Sequence, residues 1–170
     1  QQWNLNKRTG IELGGEPLPV IKHPNVDKEK WYGTTLPWMS IGYEMQMTPL
    51  QILNFYNAVA NNGRMMKPFM VSDIKSDEDI IRTIKPKVVL DSMFSPQALR
   101  QAKELLLHVV EKGTASTLKN EAYSIAGKTG TSVSNYFKST DGSKEYQATF
   151  CGYFPAEDQK NTVIVVIYNP

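Results

Sequence analysis

Two segments with complete helix start and stop signals place the strongest constraint on the fold of this 170-residue chain. In the first segment, Thr48 suits the N-cap, Pro49 suits the first helical position, and Gln51 completes a capping box. Gly63 supplies the stop signal. Between these signals, apolar residues recur at helical spacing, which predicts an amphipathic helix: Ile52, Phe55, Tyr56, Val59 and Ala60.

The second helical segment is bounded by Ser95 as its cap and Gly113 as its terminator, with Pro96 at the first position. Its polar side includes His108, which we therefore expect in solvent. The apolar residues predict one buried stripe along this helix: Ala98, Ala102, Leu105, Leu106 and Val109.

The remainder of the chain carries strand patterns. Residues 70–91 predict a short β excursion between the helices, with weak strands at 71–74 and 80–84. The last third of the chain predicts three longer strands, at residues 124–134, 146–155 and 162–169.

The connection between the first two of these strands carries a turn signal at Asp141-Gly142, which predicts a hairpin. The segment 162–167 is apolar on both faces, so we expect a central strand that is covered on both sides. Two long helices and a hairpin-linked sheet predict an α+β architecture, in which an antiparallel sheet is packed by helices.

Charge and cysteine content restrict the function. The net charge of +2 argues against nucleic acid or an anionic membrane as the main partner. The single cysteine, Cys151, excludes an intrachain disulfide, and its alternating surroundings predict a buried structural thiol. His23 and His108 lie far apart and no Cys/His cluster has zinc spacing, so we expect no metal and no cofactor.

One lysine, Lys128, lies in a run of glycine and threonine, which raises the question of what its charge binds. A phosphate-binding loop would need a glycine where the chain has Ala122, and it would need a helix to follow. Neither condition is met, so a nucleotide site is excluded. The alternative to a binding site is a purely structural role, in which the glycines around Lys128 only mark the end of a strand.

The triplet Lys128-Thr129-Gly130 resembles the third motif of the penicillin-recognising serine acyltransferases. The surrounding sequence resembles the class B penicillin-binding proteins over nearly the whole chain. The matching segments follow one another in the same order as in that family. The segments that carry this resemblance are residues 7–16, 40–71, 109–116, 125–132 and 148–170.

The resemblance implies a peptidoglycan D,D-transpeptidase with a penicillin-binding/β-lactamase-like fold, which cross-links stem peptides ending in D-Ala-D-Ala and is acylated by β-lactams. It implies that Lys128 supplies positive potential for the substrate's terminal carboxylate and assists proton transfer. Thr129 would donate its hydroxyl to the same carboxylate, and Gly130 would keep the strand face clear for an added peptide strand. The Thr131 backbone N–H would form one half of an oxyanion hole.

The chain departs from the family pattern because it lacks a recognisable nucleophile. No serine stands two residues before any asparagine, so the Ser-x-Asn motif is absent. Ser-x-x-Lys occurs at Ser72/Lys75 and at Ser116/Lys119. The first pair lies in the β excursion. The second pair lies just before the Lys-Thr-Gly strand, which is later in the chain than the position of the nucleophile in the family. We therefore expect neither serine to be the nucleophile.

We therefore expect residues 1–170 to form the C-terminal portion of one transpeptidase domain, inactive without the N-terminal part that carries the first two motifs. Within it, residues 1–47 are loop-rich, residues 48–113 hold the two helices and the β excursion, and residues 114–170 hold the strands with Lys-Thr-Gly. The segment 36–44 resembles the septal, cell-division type.

The resemblance also implies a location and partners. The protein would act on the extracytoplasmic (periplasmic) face of the inner membrane, through an anchor outside this chain. Its partners would be stem peptides, β-lactams, the missing part of its own domain and divisome proteins. Two alternatives remain open: a non-catalytic substrate-binding or scaffold module, and a β-lactamase or β-lactam sensor domain.

Overall fold

The computed structural model describes residues 3–77, 79–133 and 144–170. The predicted turn at Asp141-Gly142 lies outside these residues. In chain order, the elements are β1 (Val20–Ile21), α1 (Thr35–Ser40), β2 (Met45–Gln46), α2 (Pro49–Ala60), β3 (Met65–Met66), β4 (Asp73–Ser76), β5 (Asp79–Thr83), β6 (Val88–Leu90), α3 (Pro96–Glu111), β7 (Ala126–Val133), β8 (Tyr146–Phe154) and β9 (Asn161–Tyr168). Short 3-10 helices lie at Lys28–Lys30 and Ser116–Leu118.

The chain forms two compact units, each built from two stretches of sequence. One consists of Gln1–Gln51 and Lys67–Lys87, and the other of Ile52–Met66 and Val88–Pro170. The first unit holds the antiparallel pairs β1–β2 and β4–β5. The second pair confirms the two weak strands predicted between the helices.

A loop near the N-terminus of the first unit is closed by a carboxylate. Glu16 accepts hydrogen bonds from the backbone N–H of Thr9, at 2.8 Å, and of Gly10, at 3.2 Å. Gly10 has a φ of +77°, a conformation that glycine adopts at little cost. The loop's backbone donors therefore find a partner within the loop itself.

The predicted capping box begins α2. The Thr48 N–H donates to Gln51 Oε1 at 2.8 Å, and the Gln51 N–H donates to Thr48 Oγ1 at 3.2 Å. At the other end, the Gly63 N–H donates to the Ala58 carbonyl at 2.7 Å with a φ of +84°. These bonds satisfy backbone groups that a helix leaves unpaired at its ends.

Ser95 caps α3 as predicted, because its side chain accepts a hydrogen bond from the Ala98 N–H at 3.2 Å. The predicted stripe is wrong at Leu105, which is 66% exposed. The fully buried residue of this helix is Val110, and the helix also packs Leu99, Leu106 and Leu107 against the core. The helix carries two adjacent apolar rows, and the row that meets the core is rotated from the expected one by about one residue, or ~100°.

The main sheet has the order β7-β8-β9 and is antiparallel throughout. This arrangement confirms the predicted antiparallel sheet but corrects the position of the last strand. The central strand is β8, and β9 pairs only with β8 among the described strands. Val165 and Ile167 of β9 are about half exposed, at 49% and 51%. An apolar β-branched run favours a strand, but its place in the sheet depends on long-range pairing.

The core of the second unit lies where α2, β7 and β8 meet. Val59 and Ala60 from the end of α2 pack with Ala126 and Tyr153. Lys103 of α3 reaches the same region, and its ammonium donates to Asn62 Oδ1 at 2.8 Å, Gln159 Oε1 at 3.0 Å and the Ala60 carbonyl at 3.4 Å. Burial lowers the pKa of Lys103. In the part of the chain that is described, no helix has the length and apolar character needed to cross a bilayer.

Candidate functional site

The four residues singled out by the sequence follow one another on β7, at the edge of the main sheet. Lys128 is opposite Cys151 and Thr131 is opposite Ala148 in the β7–β8 register. Within the described residues, β7 pairs with β8 alone. Its other edge therefore offers backbone donors and acceptors to an extended ligand.

Two glycines fix how closely β7 approaches β8. Gly127 and Gly152 are register partners, and a Cβ added at Gly127 would lie 2.7 Å from the Cys151 carbonyl oxygen and 2.9 Å from the Gly152 Cα. A Cβ at Gly152 would lie 2.4 Å from the Ala126 carbonyl oxygen. Both positions therefore require glycine, and this pair sets the position of the strand immediately before Lys128.

Lys128 is exposed, and its Nζ donates to the carbonyl oxygen of Thr129 at 2.8 Å. Its ammonium therefore lies beside the strand backbone and does not enter the core. A lysine ammonium is a compact cation with three donors. One donor is used by this carbonyl, and the contacts among the described residues do not occupy the other two.

The Thr129 hydroxyl has a partner that sequence reasoning did not single out. Thr129 Oγ1 lies 2.8 Å from Thr114 Oγ1, on the turn that follows α3. Thr114 falls within the segment 109–116 that carries the family resemblance, but its sequence position does not reveal a contact across 15 residues. The topology that brings the end of α3 against β7 creates this contact.

Gly130 and Thr131 are both exposed on β7, where successive residues point to opposite faces of the sheet. A Cβ added at Gly130 would have its nearest neighbour at 3.9 Å, the Thr149 Cβ, which is ordinary contact. The fold therefore does not require glycine at this position, unlike at Gly127. A close approach by a ligand is a different reason for a glycine here.

In a nucleophile–base pair the serine hydroxyl is hydrogen-bonded to the lysine, and in the described ranges neither Ser-x-x-Lys pair of this chain shows that contact. The Lys119 Nζ is 2.6 Å from a carboxylate oxygen of Glu111, so its charge is already paired. The Ser72 hydroxyl donates to Asp73 Oδ2 at 3.1 Å, beside the solvent-exposed strand β4. Neither serine is bonded to the lysine three residues later in any contact that the described residues make.

An antiparallel sheet packed by helices defines an α+β architecture, and the edge strand β7 of this sheet carries an ammonium and a hydroxyl. All 170 residues match the family model for the penicillin binding protein transpeptidase domain, and the chain belongs to that family. The match confirms the resemblance and the fold class predicted from the sequence.

Curated relatives match along the length of the chain. Penicillin-binding protein H of Bacillus subtilis is 31% identical over 175 residues, covering 98% of this chain and 24% of the relative. Penicillin-binding protein PbpB of Mycobacterium tuberculosis is 28% identical over 183 residues, covering 100% of this chain and 26% of the relative. The chain thus spans about a quarter of the length of these relatives.

Solved structures share the fold. The apo form of penicillin binding protein 3 from Mycobacterium tuberculosis superposes with a TM-score of 0.82 at 26% identity, covering 99% of this chain and 39% of that chain. The same protein has been solved in complexes with aztreonam and with ampicillin, with the same TM-score of 0.82.

Proposed function

We propose that this chain supplies the carboxylate-binding edge strand of a serine-type peptidoglycan D,D-transpeptidase. Its ligands are stem peptides ending in D-Ala-D-Ala and the β-lactams that mimic them. The observation that carries the proposal is the exposed Lys128 ammonium beside Thr129 on the open edge of β7. An ammonium and a hydroxyl together suit a terminal carboxylate, because charge-assisted hydrogen bonds are stronger than neutral ones.

The Thr131 N–H is proposed as one donor of an oxyanion hole. In an antiparallel strand the N–H and C=O of one residue point to the same side, and this direction repeats at every second residue. The Thr129 carbonyl accepts from a side chain, which indicates that it faces the open edge. The Thr131 N–H then faces the same edge, where it can stabilise negative charge on the attacked carbonyl oxygen.

The complexes of the Mycobacterium tuberculosis protein with aztreonam and ampicillin support β-lactams as ligands of this site. The carboxylate or sulfonate of such a drug would lie against Lys128 and Thr129. Gly130 would let the drug's scaffold lie flat along the strand, since no side chain projects there.

The serine nucleophile is proposed to lie in a part of the full-length protein outside these 170 residues. Because the chain lacks Ser-x-Asn, and because the lysines of its two Ser-x-x-Lys pairs do not bond to the serines, the chain alone is expected not to react with penicillin. The protein is proposed to act on the extracytoplasmic face of the membrane, held there by an anchor outside the chain. The segment 36–44 favours a septal role alongside divisome proteins.

The test is covalent labelling with a fluorescent penicillin, followed by intact-mass measurement. We expect the full-length protein to gain one adduct and the 170-residue chain to gain none. Replacing Lys128 with alanine in the full-length protein should slow acylation by roughly 100-fold, as expected for loss of a group that stabilises charge in the transition state. Lys160→Ala is the matched control, because Lys160 pairs with Asp158 in the turn between β8 and β9.

An adduct on any serine of the isolated chain would refute the proposal that the nucleophile lies outside these 170 residues. If the full-length protein bound penicillin only reversibly, the non-catalytic module would be favoured. Rapid release of hydrolysed penicillin would favour a β-lactamase.

A further inference from the structure

We propose that Thr114 is a positioning residue, which orients the Thr129 hydroxyl so that its proton points at the ligand's carboxylate. The proposal rests on the function proposed above, in which Thr129 donates to that carboxylate. The contact behind it is the 2.8 Å separation of the two hydroxyl oxygens.

The direction of this hydrogen bond decides whether Thr129 can serve a ligand. A threonine hydroxyl has one proton to donate and two lone pairs with which to accept. If Thr129 donated to Thr114, it would have no proton left for the carboxylate. A carboxylate only accepts, so ligand binding selects the arrangement in which Thr114 donates to Thr129 and Thr129 donates to the ligand. Each bond in such a chain polarises the next and strengthens it.

The turn that carries Thr114 is held in place on both sides of this residue. The Ala115 N–H donates to the Val109 carbonyl at 3.0 Å, and Ala115 is buried, with 2% of its surface exposed. A Cβ at Gly113 would lie only 2.8 Å from the Val109 carbonyl oxygen, so the turn requires glycine there. The ion pair of Lys119 with Glu111, at 2.6 Å, joins the end of the following 3-10 helix to α3. A donor on a fixed backbone loses little freedom when the ligand binds.

The experiment is a double-mutant cycle on the full-length protein, with benzylpenicillin and its methyl ester as probes. Thr114→Val removes the hydroxyl at nearly constant volume, and Thr114→Ser retains it. Thr129→Val removes the proposed ligand donor. Thr117→Val, an exposed threonine on the adjacent 3-10 helix, is the matched control.

We expect Thr114→Val to lower the second-order acylation rate with benzylpenicillin by roughly 5- to 10-fold, the effect of one lost hydrogen bond. Thr114→Ser should restore the rate to within about twofold. The double variant should be no slower than Thr129→Val alone, because both substitutions break the same relay. With the methyl ester, which lacks the anionic carboxylate, Thr114→Val should change the rate by less than about twofold. A purely structural role for Thr114 would slow both probes equally.

The outcomes separate the two proposals. If Thr129→Val leaves the rate with benzylpenicillin unchanged, the proposed role of Thr129 fails, and the role of Thr114 fails with it. If Thr129→Val slows acylation but Thr114→Val does not, or if their effects multiply, only the role of Thr114 is overturned. Should Thr114→Val unfold the protein, Thr114→Ala compared with Thr114→Ser measures the same hydroxyl.

Discussion

Gly127 and Gly152 face each other across β7 and β8 so closely that neither position has room for a Cβ atom. The contact lies one residue before Lys128, at the point where β7 leaves the core formed by Ala126 and Tyr153. The pair therefore links the packing of the sheet to the position of the site. Close backbone approach is one of the specific reasons for a glycine within a strand.

Gly127→Ala should destabilise the protein, because the added methyl would overlap backbone atoms of β8 that cannot move independently. We expect a loss of about 1–3 kcal/mol in the free energy of unfolding, measured by chemical denaturation. Gly130→Ala on the same strand is the control, with an expected change below about 0.5 kcal/mol. Strand propensity alone would favour alanine at both positions, so equal losses at Gly127 and Gly130 would show that the close approach at Gly127 does not determine the effect.

Gly130→Ala should nevertheless impair ligand binding, because its methyl would project from the strand face proposed for the peptide or drug. Stopped-flow acylation of the full-length variant by benzylpenicillin should be slower by roughly tenfold or more. An unchanged rate would mean that the ligand does not lie along this part of β7.

Ser95→Ala should remove the side-chain acceptor that caps α3. The expected cost is about 1 kcal/mol, or a fall in Tm of roughly 2–4 °C for a chain of this size. Thermal unfolding monitored by circular dichroism measures it. Ser95→Asp retains a capping oxygen and should keep Tm within about 1 °C of the parent. A fall of the same size for both variants would argue against the cap as the cause.

Glu16 should give the N-terminal loop a dependence on pH. Burial tends to raise the pKa of Glu16, but hydrogen bonds from Thr9 and Gly10 outweigh burial and lower it. A carboxyl group with a pKa lowered by folding stabilises the folded loop above its unfolded pKa, and this contribution is lost as the pH falls through the folded pKa. The Thr9 and Gly10 amide NMR signals should therefore titrate together, with a midpoint below the ordinary glutamate pKa.

The matched variant for this titration is Glu16→Gln, which keeps an acceptor oxygen but cannot ionise. It should abolish the shared titration of the two amides. Titration with a midpoint at or above the ordinary glutamate pKa would contradict the hydrogen-bonded closure of the loop.

Cys151 should resist alkylation in the native protein. Burial raises the pKa of its thiol to about 12, and its side chain is 2% exposed, so the reactive thiolate is neither populated nor accessible. With iodoacetamide at about pH 8, intact-mass analysis should show no adduct on the native chain and one adduct after denaturation in guanidinium. Native labelling at the rate of a free thiol would mean that β8 opens readily.

The sequence predicts those features that depend on residues near one another in the chain. The capping box at Thr48 and Gln51, the cap at Ser95 and the burial of Cys151 all follow from local chemistry and are confirmed. Features that depend on long-range packing cannot be predicted from neighbouring residues alone. The exposure of Leu105 depends on which apolar row of α3 meets the core.

The same limit applies to the sheet and to the site. The apolar run of β9 does not reveal that β8 lies at the centre, because strand order depends on pairing between distant segments. Lys128 and Thr129 are identifiable from a motif, whereas the Thr114 hydroxyl becomes a candidate only when the fold brings it to 2.8 Å from Thr129.

The most direct measurement is a crystal structure of the full-length protein acylated by benzylpenicillin. We expect the drug's carboxylate oxygens within about 3.2 Å of Thr129 Oγ1 and beside Lys128 Nζ, with the acyl carbonyl oxygen accepting from the Thr131 N–H. A drug bound to a serine remote from β7, or one whose carboxylate points away from this strand into solvent, would contradict the account.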